Sequence, residues 1–139
     1  MNVISKPIVA VVDDDPRIRE SLESLIESAG LKARVFSLAE DFLHGELLAT
    51  TSCLITDVRM PKMDGLELQR RVRLERPGLP VIFITAHHED RIEQRAFAQG
   101  AAFFVRKPFD ASELLRAIKS ALSKSQSDNE KANGEKVRS

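Results

Sequence analysis

The chain lacks a second cysteine, a surplus of charge of either sign and any long apolar run, and each shortage removes a class of protein. Cys53 has no partner for an internal disulfide, so it reads as a small core residue in a reducing compartment. The 21 Lys+Arg are matched by 21 Asp+Glu, leaving no basic excess of the kind that drives nucleic-acid binding, and no direct nucleic-acid contact is expected. No apolar stretch approaches the roughly 18 residues of a membrane-spanning helix, and residues 1–7 carry no long apolar core after their lysine. A soluble, cytoplasmic protein without membrane contact is therefore expected. There is no internal repeat. With 139 residues, 42% hydrophobic and 30% charged, the chain has the material for one domain with a sizeable core.

Short apolar runs alternate with helical patterns five times. Ile8-Val9-Ala10-Val11-Val12 predicts a first strand that stops at Asp13-Asp14-Asp15. Asp15 before Pro16 predicts an N-cap, and Ile18, Leu22, Leu25, Ile26 and Ala29 recur at helical spacing up to Gly30. A second strand is predicted over 33–36, with Ser37 capping a helix that turns Phe42, Leu43 and Leu47 inward. The third strand covers 53–56 and runs into Asp57, followed by a turn over 61–65. A third helix carries Leu66, Leu68 and Val72, with Arg70, Arg71 and Arg73 read as its solvated face, and stops at Pro77-Gly78. The fourth strand is 81–85, the fourth helix 89–99, the fifth strand 102–105, and Asp110 or Ser112 caps a last helix striped by Leu114, Leu115, Ile118, Ala121 and Leu122. Residues 1–123 form the domain, and the polar stretch 124–139 is expected to be a disordered tail.

Runs without amphipathic alternation suit strands buried on both faces, so the expected fold is α/β: a doubly wound five-stranded parallel sheet of order 2-1-3-4-5 with helices on both faces. That order brings the carboxyl ends of strands one, three, four and five together, with Asp13 and Asp14, Asp57, Thr85 and Lys107 at those ends. Clustered carboxylates repel unless a cation compensates, and an all-oxygen set without histidine or cysteine favours a hard ion such as Mg²⁺. A carboxylate beside such an ion can attack phosphorus and form an acyl phosphate, with a lysine neutralising the phosphoryl oxygens and a threonine hydroxyl hydrogen-bonding them. Any one of these residues has an ordinary explanation as a cap, a strand former or a surface charge. Complementary parts of one reaction at all four strand ends are harder to explain that way.

The same residues resemble the receiver domain of two-component response regulators. The resemblance rests on Val11-Val12-Asp13-Asp14-Asp15, Thr56-Asp57-Val58-Arg59-Met60-Pro61 with Met63-Asp64-Gly65, Ile84-Thr85-Ala86 and Phe104-Val105-Arg106-Lys107-Pro108-Phe109, and it covers residues 8 to 122 in order. Ser37-Leu38-Ala39-Glu40-Asp41-Phe42-Leu43 and Gly100-Ala101-Ala102-Phe103-Phe104 look most like the FixJ-like branch. It implies a CheY-like fold and a phosphoryl group accepted on Asp57 from a sensor histidine kinase or phosphotransfer protein. It further implies Mg²⁺ (or Mn²⁺) held by Asp13, Asp14, Asp57 and the backbone carbonyl of Arg59, and assigns Lys107, Thr85 and Ala86 to the phosphoryl group. Thr85 and Phe104 become a switch pair that alters the surface of the fourth helix, fifth strand and fifth helix, where a partner, an output domain or a second copy would dock. Arg59 and His87 become candidates for setting the phosphoryl lifetime, and Lys107-Pro108 is expected to be a cis bond.

Two departures from the pattern stand out. A glycine usually follows soon after the switch threonine in the FixJ-like branch, whereas this chain reads Ala86-His87-His88-Glu89, which implies a stiffer loop or an approach of His87 to the phosphate. Most such regulators also continue into a helix-turn-helix output domain, whereas a polar stretch follows here; a single-domain regulator is expected, the alternative being a piece of a longer one. Two further readings compete. A small phosphatase of the haloacid-dehalogenase kind would place its nucleophile in the Asp13-Asp14 pair, but it would want Thr or Val where Arg17 stands. A flavin-binding flavodoxin-like module is disfavoured because the acidic loop after strand one repels a cofactor phosphate.

Overall fold

The β-branched run at the amino terminus forms β1 (Ile8–Val12), and each later apolar run forms a parallel strand beside it: β2 (Lys32–Phe36), β3 (Cys53–Asp57), β4 (Val81–Thr85) and β5 (Phe103–Arg106). The structure, a computed structural model, describes residues 6–138, with side chains described as far as Lys124. The sheet has the order β2-β1-β3-β4-β5. The helices are α1 (Pro16–Ser28), α2 (Ala39–Leu43), α3 (Gly65–Glu75), α4 (Asp90–Ala98) and α5 (Ala111–Arg138), with a 3₁₀ turn at Glu46–Ala49.

β3 and β4 are buried at every residue, yet their side chains still alternate between two cores. Ala10, Val12, Leu54, Val81 and Phe83 meet Phe42 of α2, Leu66, Leu68 and Val72 of α3 and Ala96 of α4. On the opposite face Val9, Val11, Cys53, Ile55, Ile82, Ile84 and Val105 meet Leu22 and Ile26 of α1 and Leu114, Ala117, Ile118 and Ala121 of α5. Each fully buried Leu, Ile or Val contributes about 1.5–3 kcal/mol, so the two layers pin the register of the sheet and hence the positions of its strand ends.

The caps follow local chemistry. Asp15 accepts the amide of Arg17 at 2.9 Å and opens α1 just before Pro16. Asp110 accepts the amide of Ser112 at 2.8 Å, so it, and not Ser112, caps α5. Ser37 does not cap α2: Leu38 stands at that position without a side-chain bond, and Leu47 belongs to the separate 3₁₀ turn beyond Gly45. The backbone of α5 continues helically to Arg138 where a disordered tail is expected from residue 124. Lys, Gln, Glu and Ala have good intrinsic helix propensity, so a polar stretch can prolong a helix without adding to the core. The side chains of that stretch, and residue 139, lie outside the described residues.

Candidate functional site

Register builds the site. Val12 of β1 pairs with Thr56 of β3, so the residues that follow, Asp13 and Asp57, leave neighbouring strands at the same level. Thr85 pairs with Arg106, which brings Lys107 to the same edge, and the Lys107 amide donates to the Thr85 carbonyl at 2.8 Å. All four residues therefore emerge at the carboxyl end of a parallel sheet, beside the point where the chain reverses its winding direction.

The Lys107 ammonium donates to Asp13 Oδ2 and to Asp57 Oδ2, each at 2.9 Å. Asp13 is fully buried, and its other oxygen accepts the Asp15 amide at 2.9 Å. Burial pushes the Asp13 carboxyl above the usual carboxylate range, against the lowering effects of the Asp15 amide and of Lys107. For Lys107, burial works to lower the ammonium's pKa, but its bonds to and charge attraction with Asp13 and Asp57 outweigh it and hold the group above the ordinary lysine value. Asp57 also accepts the Arg59 amide at 3.4 Å.

Asp13, Asp14 and Asp57 each offer a carboxylate oxygen within 4.8 Å of the others. Three convergent hard oxygens, one on an exposed residue, fit a small divalent cation that keeps part of its water shell, as Mg²⁺ does. Asp57, at 8% exposure, is buried like Asp13, so two buried carboxylates share a single lysine and Asp14 forms the exposed side of the cluster.

Thr85 is fully buried, and its hydroxyl donates to the His87 carbonyl at 3.2 Å and accepts the His87 amide at 3.1 Å. Phe104 is half-buried, with ring centroids 6.0 Å from Phe83, 6.0 Å from His88 and 6.5 Å from Phe97. The Lys107-Pro108 peptide is cis. Ala86 and His87 are exposed, and the Arg59 guanidinium is turned toward Glu89 at 2.5 Å, joining the loops after β3 and β4.

Three contributors escape sequence reading. Arg19 donates to the Asp13 carbonyl at 2.7 Å, fixing the acidic loop from α1. Asp64 caps α3 by accepting the Glu67 amide at 2.9 Å, a capping signature legible as an acid three residues before Glu67. Gly65 comes so close to the phosphoacceptor candidate that a Cβ there would stand 2.0 Å from the Asp57 carbonyl oxygen. Only a residue without a side chain lets α3 start against the end of β3.

Fold and site together define an aspartate-centred receiver. Residues 9–119 match the family described as the response regulator receiver domain, and the chain belongs to that family. Curated relatives include the response regulator protein TodT of Pseudomonas putida, 41% identical over 115 residues (83% of this chain, 51% of TodT). The transcriptional regulatory protein FixJ of Azorhizobium caulinodans is 38% identical over 117 residues (84% of this chain, 56% of FixJ). The chain spans about half the length of these relatives. Among solved structures, the response regulator StyR superposes with a TM-score of 0.85 at 38% identity, covering 96% of this chain and 67% of StyR. FixJ-N does so with a TM-score of 0.76 at 31% identity, covering 86% of this chain and 96% of FixJ-N. A FixJ-like receiver is thereby shown, and the phosphatase reading gains no support.

Proposed function

We propose that Asp57 is the phosphoacceptor of a signalling switch. The observation that carries this reading is the shared lysine: Lys107 Nζ lies 2.9 Å from Asp57 Oδ2 and 2.9 Å from Asp13 Oδ2, with Asp14 completing the oxygen cluster. An Asp57 carboxylate oxygen attacks phosphorus, and the bond from phosphorus to the donor breaks, whether to a histidine nitrogen of a sensor kinase or phosphotransfer protein or to the oxygen of acetate. The product is an acyl phosphate on Asp57, which water later returns to carboxylate and inorganic phosphate. Asp13, Asp14, Asp57 and the Arg59 carbonyl would hold Mg²⁺ or Mn²⁺, which supplies charge neutralisation on the phosphoryl oxygens. Lys107 would move from the Asp57 carboxylate to a phosphoryl oxygen, and the Ala86 amide would donate to another. The only chemistry assigned to this protein is its own phosphorylation and dephosphorylation.

Phosphorylation adds about 1.5 to 2 negative charges. The Thr85 hydroxyl then leaves the His87 backbone for the phosphoryl group, and Phe104 turns into the space it vacates. The surface of α4, β5 and α5 changes with it, and there a partner, an output domain or a second copy docks. The 44% exposure of Phe97 on α4 supports an apolar contact on that face. No helix among the described residues is long and apolar enough to cross a membrane, and with a lone buried cysteine this supports a cytoplasmic location. The test is labelling by acetyl phosphate with Mg²⁺, followed by intact mass. One phosphoryl group per chain is expected for the wild type and none for Asp57→Asn; full labelling of that variant would remove Asp57 from its role.

A further inference from the structure

His88 stands at the junction of the β4–α4 loop with the partner-facing surface, outside the phosphoacceptor cluster. Its side chain is 19% exposed, and its Nε2 lies 2.5 Å from Glu93 Oε1 on α4 and 3.0 Å from Arg106 Nη2 on β5. Asp90 Oδ1, also on α4, is 3.7 Å from the same nitrogen. The ring packs edge-on against Phe104, at 6.0 Å and 73°. Glu93 and Asp90 from α4 and Arg106 from β5 are the charged groups in contact with this ring among the described residues.

A carboxylate only accepts and a guanidinium only donates, while one imidazole nitrogen either carries a hydrogen or offers a lone pair. Nε2 therefore cannot satisfy Glu93 and Arg106 at once. With a hydrogen it donates to Glu93 and confronts the N–H of Arg106; without one it accepts from Arg106 and confronts the oxygen of Glu93.

We propose that His88 is a proton-selected joint between α4 and β5. The imidazolium is tied to Glu93, with Asp90 adding attraction, and Arg106, whose side chain is at the surface, swings away. The neutral ring, with its proton on Nδ1, is tied to Arg106 and lets go of Glu93. The presence or absence of one hydrogen on Nε2 thus selects which of the two elements holds the ring. Because the ring lies against Phe104, which in turn lies 6.5 Å from Phe97, the exchange alters packing at the centre of the α4–β5 surface. This goes beyond the phosphoacceptor reading and does not rest on it, since none of Asp13, Asp57 or Lys107 takes part.

The test is ¹⁵N NMR of the His88 ring nitrogens in the unphosphorylated full chain from pH 5 to 8.5. At the alkaline end Nε2 is expected unprotonated, with a bond to Arg106; at the acid end both nitrogens carry hydrogens and the Arg106 signal becomes that of a free guanidinium. Glu93→Gln removes the anion and moves the midpoint of the exchange to lower pH, whereas Arg106→Gln removes the cation and moves it to higher pH. The proposal is overturned if Nε2 stays protonated at both ends, or if the two variants fail to move the midpoint in opposite directions. Should a variant not fold, the wild-type tautomer at alkaline pH decides alone.

Discussion

Lys107 and Asp57, which are 50 residues apart in sequence, meet through a 2.9 Å bond between Nζ and Oδ2, and the same nitrogen also holds the fully buried Asp13. The lysine is thus a structural counter-ion before it serves any phosphate. Lys107→Met leaves Asp13 buried without its cation. Loss of one partner of a buried pair costs about 3–5 kcal/mol, and the partial exposure of the Lys107 and Asp57 side chains, 13% and 12%, reduces this to roughly 1–3 kcal/mol. Urea unfolding should show that loss, and adding Asp13→Asn should recover part of it. Unchanged stability of the single variant would mean that the pair does not form in solution.

Gly65→Ala tests the seam between β3 and α3. The new methyl would meet the Asp57 carbonyl oxygen at 2.0 Å and Phe83 Cε1 at 3.1 Å, so the backbone of one element must move. A destabilisation of about 1–3 kcal/mol or more is expected in urea unfolding, together with slower labelling of Asp57 by acetyl phosphate. Wild-type stability with a wild-type labelling rate would show that the contact is looser than described.

The Arg59–Glu89 pair predicts an effect on kinetics without one on stability. Both side chains are 54% exposed, and exposed pairs contribute about 0.2–1 kcal/mol. Glu89→Gln should therefore leave the urea midpoint almost unmoved while freeing Arg59 to approach the phosphoryl group. The half-life of phosphorylated protein should change by at least about twofold, and Arg59→Ala should erase the effect of the second substitution. Identical half-lives in wild type and Glu89→Gln would remove this pair from any part in lifetime control.

Burial pushes the Cys53 thiol up to about 12, whereas an unfolded cysteine titrates near about 8.5. The folded pKa is raised, so the stability from burying the neutral thiol is fully present below about 8.5 and is lost as the pH rises through about 12. At pH 8 a thiol reagent should react with Cys53 only as fast as the core opens, and at full speed in urea. Rapid reaction with intact circular dichroism would contradict its burial.

The fold was legible because five apolar runs broken by Asp13, Asp57, Thr85 and Lys107 leave little freedom in a doubly wound sheet, and each of those residues stands at its strand end. Sheet register, unlike strand identity, is a product of packing on two faces, so the alignment of Val12 with Thr56 that sets Asp13 beside Asp57 was not readable. Local rules found the Asp15 cap but chose Ser37 for α2, where Leu38 takes the position without a side-chain bond. Of the adjacent histidines, His87, the candidate to approach the phosphate, is exposed. His88 is the one that packs, and only the fold could reveal its neighbours, since Arg106 lies on another element, 18 residues away.

The most direct measurement locates the phosphoryl group. Protein labelled with acetyl phosphate and Mg²⁺ is reduced with borohydride, which converts an aspartyl phosphate to homoserine, and the peptides are sequenced by mass spectrometry. Conversion is expected at Asp57 alone, with Asp13 and Asp14 intact. Conversion at Asp13 or Asp14 with Asp57 untouched would contradict that assignment.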